Sequence, residues 1–231
     1  MVKNGRQFLI FDADDTLWEN NIYFEHAFDQ FCSYLSHSSM SPGQIREVLD
    51  EIELANIKIH GYGSMNFARN LSECYRRLAE RDISDRDLEA VKEYAYAILE
   101  RPIELLPGVV ETLDQLSSRH DLTLFTKGDP EEQRLKLDRS GLEEHFDHVA
   151  IVKEKNVAAY RQLAAERSSE PGRTWMIGNS PKSDINPALA AGLSAVFVPH
   201  PRTWSLEHEE VPDDHPRLLR VASIVELTRY F

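Results

Sequence analysis

The chain is poor in cysteine. Its 231 residues include only Cys32 and Cys74, with no Cys-x-x-Cys pair, which is too few for a disulfide framework or a cysteine-rich zinc site. A reducing compartment is the expected setting. Positive charge is scarce as well: 26 Lys and Arg stand against 39 Asp and Glu, a net charge of −13. Such a balance repels phosphodiester backbones and anionic lipid, and no basic patch interrupts it, so neither nucleic acid nor a membrane surface is an expected partner. No apolar run approaches the roughly 20 residues of a membrane span. The run ahead of the first acids covers only residues 8–11, shorter than the roughly 7–15 of a secretory leader, so a cytoplasmic protein is expected. The nine histidines, among them His200, His208 and His215, show no His-Glu-x-x-His spacing and read as surface positions rather than zinc ligands. Repeats and low-complexity tracts are absent. What remains, with 42% hydrophobic and 28% charged residues, is the composition of an ordinary globular protein.

Five short apolar runs each end abruptly in polar residues: 7–11 before Asp12, 122–125 before Thr126, 149–152 before Lys153, 174–177 before Gly178 and 194–198 before Pro199. Between them, residues 109–116, 131–140, 157–165 and 184–191 carry apolar residues at helical spacing. Buried strands alternating with helices predict an α/β fold, a doubly wound parallel sheet, and such sheets bind ligands beyond the carboxyl ends of their strands. Residues 18–105 break this rhythm. They offer about four helical patterns and no convincing strand, with helix starts at Ser41, followed by Pro42 and then Gln44 in capping-box spacing, and at Ser84. The expected organisation is a core of residues 1–17 and 106–231 with a helical insert at 18–105. Tyr23, Phe24, Phe28 and Phe31 fall near helical spacing and read as core of that insert. The proline-rich stretch 199–216 reads as a surface excursion.

Four of the five strand ends carry chemistry. Asp12 and Asp14 follow the first, Thr126 the second, Lys153 and Lys155 the third, Asn179 and Asp184 the fourth. One carboxylate can attack as a nucleophile and a second can move a proton. A hydroxyl and an ammonium can hold anionic oxygens, and the remaining carboxylate and amide suit a hard cation. Transfer of a phosphoryl group to a carboxylate needs this inventory, since its main demands are charge neutralisation and in-line positioning.

Phe11-Asp12-Ala13-Asp14-Asp15-Thr16-Leu17, then Leu124-Phe125-Thr126, then a lysine at the third strand end, then Gly178-Asn179 through Asp184, resemble in order the four motifs of the haloacid dehalogenase-like hydrolase superfamily. The resemblance implies that Asp12 is the nucleophile that becomes an aspartyl-phosphate, and that Asp14 is the general acid and base. Thr126 and a lysine would bind phosphoryl oxygens, with Lys127 beside them. Lys155 stands five residues before Tyr160, the family's spacing to an aromatic, whereas Lys153 does not; Lys155 is therefore preferred. Magnesium would be held by Asp12, the Asp14 backbone carbonyl, Asn179 and Asp184. The helical insert resembles the family's first-position cap, with Tyr62, between Gly61 and Gly63, a candidate substrate contact. The expected activity is magnesium-dependent hydrolysis of a small phosphorylated metabolite. Asn179, where the family's phosphatases commonly have an acid, keeps two alternatives open: a metal-independent 2-haloacid dehalogenase, which has no acid at the position of Asp14, and a non-catalytic scaffold.

Overall fold

The computed structural model describes residues 5–231, which divide into two compact units: one holds the residues up to Asn21 together with Ile103–Phe231, the other Ile22–Pro102. The first is built on six strands: β1 (Phe8–Phe11), β2 (Asp121–Lys127), β3 (His148–Val152), β4 (Thr174–Gly178), β5 (Ser194–Phe197) and β6 (Leu218–Arg220). They form one sheet in the order β3-β2-β1-β4-β5-β6, every pair parallel. Parallel neighbours require crossovers, so helices cover the sheet; its inner strands are buried, while β3 and β6 at the edges are half-buried. Leu9, Phe11, Leu122, Leu124 and Ile177 point to one core, shared with residues of the helix at Val109–Ser117 and the C-terminal Leu227 and Phe231. Ile10, Phe125 and Met176 join a second core with Tyr160 and Leu163. The sixth strand was not anticipated; at three residues it offers too short an apolar run to read.

β1 sits in the middle of the order, between β2 and β4, with Phe11 level with Leu124 and with Ile177. The main chain carries this pairing one residue further, Asp12 donating its N–H to the Ile177 carbonyl at 2.9 Å. The polar residues after β1, β2 and β4 are thereby delivered to the same edge.

The second unit consists of α1 (Asn21–Leu35, whose first residue lies in the other unit), α2 (Pro42–His60), α3 (Ser64–Leu78) and α4 (Asp85–Tyr96). Both expected starts are reciprocal capping boxes, Ser41 with Gln44 and Ser84 with Asp87. Phe28 and Phe31 are buried in its core, with Tyr23 and Phe24 packed against it. Glu53, on the buried face of α2, is 4% exposed, and burial pushes its carboxyl up to about 7 although Arg46 lies 2.5 Å away. An unfolded chain releases that proton near 4.5, so between about 4.5 and 7 the unfolded state binds fewer protons than the folded one, and stability falls as pH rises. Glu53→Gln keeps the shape and removes the charge, while Arg46 retains Asp50 at 2.5 Å. Thermal melts should show the variant gaining on wild type at pH 8 and matching it within about 2 °C at pH 5. A variant less stable at pH 8 than wild type would mean that the pairing with Arg46 outweighs burial and that the Glu53 carboxyl is not raised in the fold.

Candidate active site

The loop after β1 turns back at once: the N–H groups of Thr16 and Leu17 both donate to the Ala13 carbonyl, and Asp15 takes a left-handed conformation (φ 59°) that aspartate tolerates better than most residues. The Asp15 carboxylate then accepts the N–H groups of Asn20 and Asn21, and burial pushes it up to about 7. This closes the loop and turns Asp15 away from the strand end. His200 packs beside it, its ring nitrogens 3.9 Å from Asp15 and 3.5 Å from Glu19. That corrects the surface position expected from sequence, because Glu19 and Asp15 draw the ring inward to 9% side-chain exposure.

Asp12 is 7% exposed and both of its oxygens are engaged. Oδ1 accepts from Lys155 Nζ at 2.5 Å, and Oδ2 accepts from Thr16 Oγ1 at 2.9 Å. The same Thr16 hydroxyl lies 3.2 Å from Asn179 Oδ1, so an oxygen from each of two strand ends converges on one atom. The Asn179 amide is oriented by its other end, Nδ2 donating to Thr203 Oγ1 at 2.9 Å.

Lys155 also reaches Asp184 Oδ1 at 2.9 Å and so spans two carboxylates. Burial works against its charge, but Asp12 and Asp184 outweigh it and hold the ammonium above its ordinary range. Asp184 is 1% exposed; burial, with Asp12 adding repulsion against the attraction of Lys155, pushes it up to about 7. Its position depends on Gly178, since a Cβ there would stand 2.5 Å from the Asp184 Cγ. A π-helical turn, Pro181–Ile185, carries Asp184 in, and the Ser180 N–H donates to its Oδ2 at 3.0 Å. The Lys155 ammonium lies over the Phe125 ring, 5.6 Å from its centroid, and Tyr160 stacks edge-on to that ring with centroids 5.1 Å apart and donates its hydroxyl to the Ser183 carbonyl. Lys153, by contrast, is exposed.

Asp14 faces a different set. Trp18 Nε1 donates to Oδ1 at 2.8 Å, Gln133 Nε2 to Oδ2 at 2.9 Å, and Lys136 Nζ reaches both oxygens at 3.1 and 3.0 Å. Burial alone would raise this carboxyl, but Lys136 and the hydrogen bonds reverse the effect and hold it below its usual range. Gln133 and Lys136 were missed from sequence. Both project from the helix Pro130–Ser140 that leaves the β2 edge, and their separation by three residues, which places them on one helical face, was the only signal.

Thr126 is 2% exposed near the end of β2. The next side chain, Lys127, sends its ammonium to Glu207 Oε1 at 2.6 Å and to Ser183 Oγ at 2.8 Å. Tyr62 belongs to the other unit, between α2 and α3. Asp12, Thr16, Lys155, Asn179 and Asp184 therefore form one buried cluster, with Asp14 two residues along the chain from Asp12. The cluster's side-chain acceptors are all oxygens, and two of them converge, which is the donor chemistry that a hard divalent cation takes.

A family model described as haloacid dehalogenase-like hydrolase matches residues 8–192. The chain belongs to this hydrolase family. The structure of a haloacid dehalogenase-like family hydrolase from Xanthomonas campestris is 30% identical, with a TM-score of 0.82, covering 97% of this chain and 93% of that one. Among curated proteins, pyrimidine 5'-nucleotidase YjjG of Escherichia coli is 29% identical over 128 residues, 53% of this chain and 54% of its own length. Phosphoserine phosphatase of Thermus thermophilus is 34% identical over 82 residues, 33% of each. The chain thus spans about half the length of the first curated relative and a third of the second. A 2-haloacid dehalogenase from Pseudomonas syringae shares the fold, with a TM-score of 0.64 at 18% identity, covering 97% of each chain.

Proposed function

We propose that this hydrolase is a magnesium-dependent phosphatase that cleaves a small phosphorylated metabolite through an aspartyl-phosphate on Asp12. The observation that carries the reading is the second carboxylate: Asp14, two residues from the nucleophile, is held among four donor contacts from Trp18, Gln133 and Lys136. Halide departs without a proton, so a dehalogenase has no use for such a group, whereas an alkoxide leaving group must be protonated and a water must later be deprotonated. Both curated relatives are named for phosphate-ester substrates, which supports the same choice.

In the first step an Asp12 oxygen bonds to phosphorus as the bond to the leaving oxygen breaks, and Asp14 delivers the proton to that oxygen. In the second, water adds to phosphorus, Asp14 takes its proton, and the Asp12–phosphorus bond breaks to release phosphate. Lys155 and Thr126 hold phosphoryl oxygens through both steps. Magnesium would be held by Asp12, Asn179, Asp184 and the Asp14 carbonyl, and when bound it neutralises charge on the phosphoryl oxygens. Because Lys136 favours the ionised form, the structure matches Asp14 as the base of the second step. The first step requires that contact to loosen.

A panel of phosphorylated metabolites and p-nitrophenyl phosphate, assayed with and without magnesium, tests the reading. Turnover should require the metal, and chloroacetate and 2-chloropropionate should be left intact. Asp14→Asn should suppress turnover by about 10²–10⁴-fold on alkyl phosphates and less on p-nitrophenyl phosphate, whose leaving group needs little proton assistance. Halide release without added metal, indifferent to the loss of Asp14, would overturn the phosphatase reading.

A further inference from the structure

We propose that Glu207 is a positioning residue for the catalytic cluster: it anchors the turn that carries Asp184, and through Asp184 it places the lysine that spans to Asp12. The proposal rests on the phosphatase reading above and extends it to a residue beyond the 8–192 span matched by the family model.

The stretch that read as a surface excursion folds inward at a short 3-10 turn, Ser205–Glu207, and leaves Glu207 only 7% exposed. Three donors from two strand ends meet its carboxylate. Lys127 Nζ, just past Thr126, donates to Oε1 at 2.6 Å; Ser180 Oγ donates to Oε2 at 2.6 Å; and Ser183 Oγ donates to the same oxygen. Both serine hydroxyls spend their single proton on Glu207. Ser180 in turn accepts the Ser183 N–H at 2.9 Å and gives its own N–H to Asp184 Oδ2 at 3.0 Å. Asp184 Oδ1 then holds Lys155, which holds Asp12.

A connected path of hydrogen bonds thus runs from Glu207 through Ser180, Asp184 and Lys155 to the nucleophile. Removing the carboxylate takes the acceptor from two buried hydroxyls and weakens the hold on the Lys127 ammonium, which also meets Ser183 Oγ at 2.8 Å and Glu154 at 3.5 Å. Glu207 also explains Lys127. Its ammonium is held against the turn by Glu207 and Ser183.

The test compares Glu207→Ala and Glu207→Gln with wild type in kcat and KM on p-nitrophenyl phosphate, alongside amide hydrogen exchange across the turn. In Glu207→Ala, kcat should fall by about 10- to 100-fold and KM should rise with it, the same direction as Lys155→Ala but smaller, because the displaced cation serves bound substrate and transition state alike. The Ser183, Asp184 and Ile185 amides should exchange faster while those of β4 keep their protection. Glu207→Gln keeps the volume and an acceptor for Lys127, so it should recover part of both losses; it also carries the test if the alanine variant does not fold. A kcat within about twofold of wild type, or faster exchange spread evenly over β1 and β4, would overturn the proposal. Absence of turnover in wild type would sink the phosphatase reading instead, and exchange confined to the turn would then decide for the anchoring role by itself, its absence against.

Discussion

Asp12→Asn is expected to abolish phosphatase turnover while the protein melts close to the wild-type temperature. The amide is too weak a nucleophile to form the acyl-phosphate, yet it can keep the contacts that seat Asp12. An asparagine carbonyl still accepts from Lys155, and its amide can donate to Thr16 Oγ1, whose own proton has Asn179 Oδ1 in reach at 3.2 Å. The loss is therefore chemical rather than structural. Steady-state kinetics together with a thermal melt separate the two, and activity surviving at more than about a thousandth of wild type would remove Asp12 from the nucleophile role.

Lys155→Ala should do more damage than its place outside the chemical step would imply. Its ammonium is 1% exposed and spans Asp12 and Asp184, so truncation leaves two carboxylates facing each other in the interior. Breaking a buried ion pair by removing one partner costs about 3–5 kcal/mol. Asp184, already pushed up to about 7, would take up a proton in response, so the destabilisation should be smaller at pH 5 than at pH 8. KM should rise and kcat fall together, because the same cation serves bound substrate and transition state. Lys153→Ala, at an exposed position, should change neither. The reverse pattern would move the role to Lys153.

Much of the sheet was legible because its strands, covered by helices, read as uninterrupted apolar runs that stop at a polar residue. Asp12, Lys155, Asn179 and Asp184 could be brought together from sequence only because each stands at such a stop. Where a residue reaches the cluster from elsewhere, that logic has nothing to work on. Gln133 and Lys136 project from a helix with few apolar residues, and Glu207 lies in a polar, proline-rich stretch with no period, so neither position stands out from ordinary surface. Residues 184–191 read as one helix from sequence, whereas Asp184 and Ile185 lie in the turn at Pro181–Ile185. Its wider π geometry follows the close seating of Asp184 against Gly178, a tertiary demand that local propensity does not record.

The central place of β1 governs how this protein can fold. β1 is made well before its partners: Gln7 binds His120, 113 residues on; Asp12 waits 143 residues for Lys155; and Thr16 waits 163 for Asn179. The hydrophobic core of the helical unit, by contrast, is drawn from within Ile22–Pro102. Loop-closure entropy makes distant pairings slow and nearby ones fast, so during synthesis the helices should be packed while β1, apolar and unpaired, is still exposed. For that interval the strand that leads to Asp12 stands open to aggregation, and the four-residue length of β1 keeps the exposed run short.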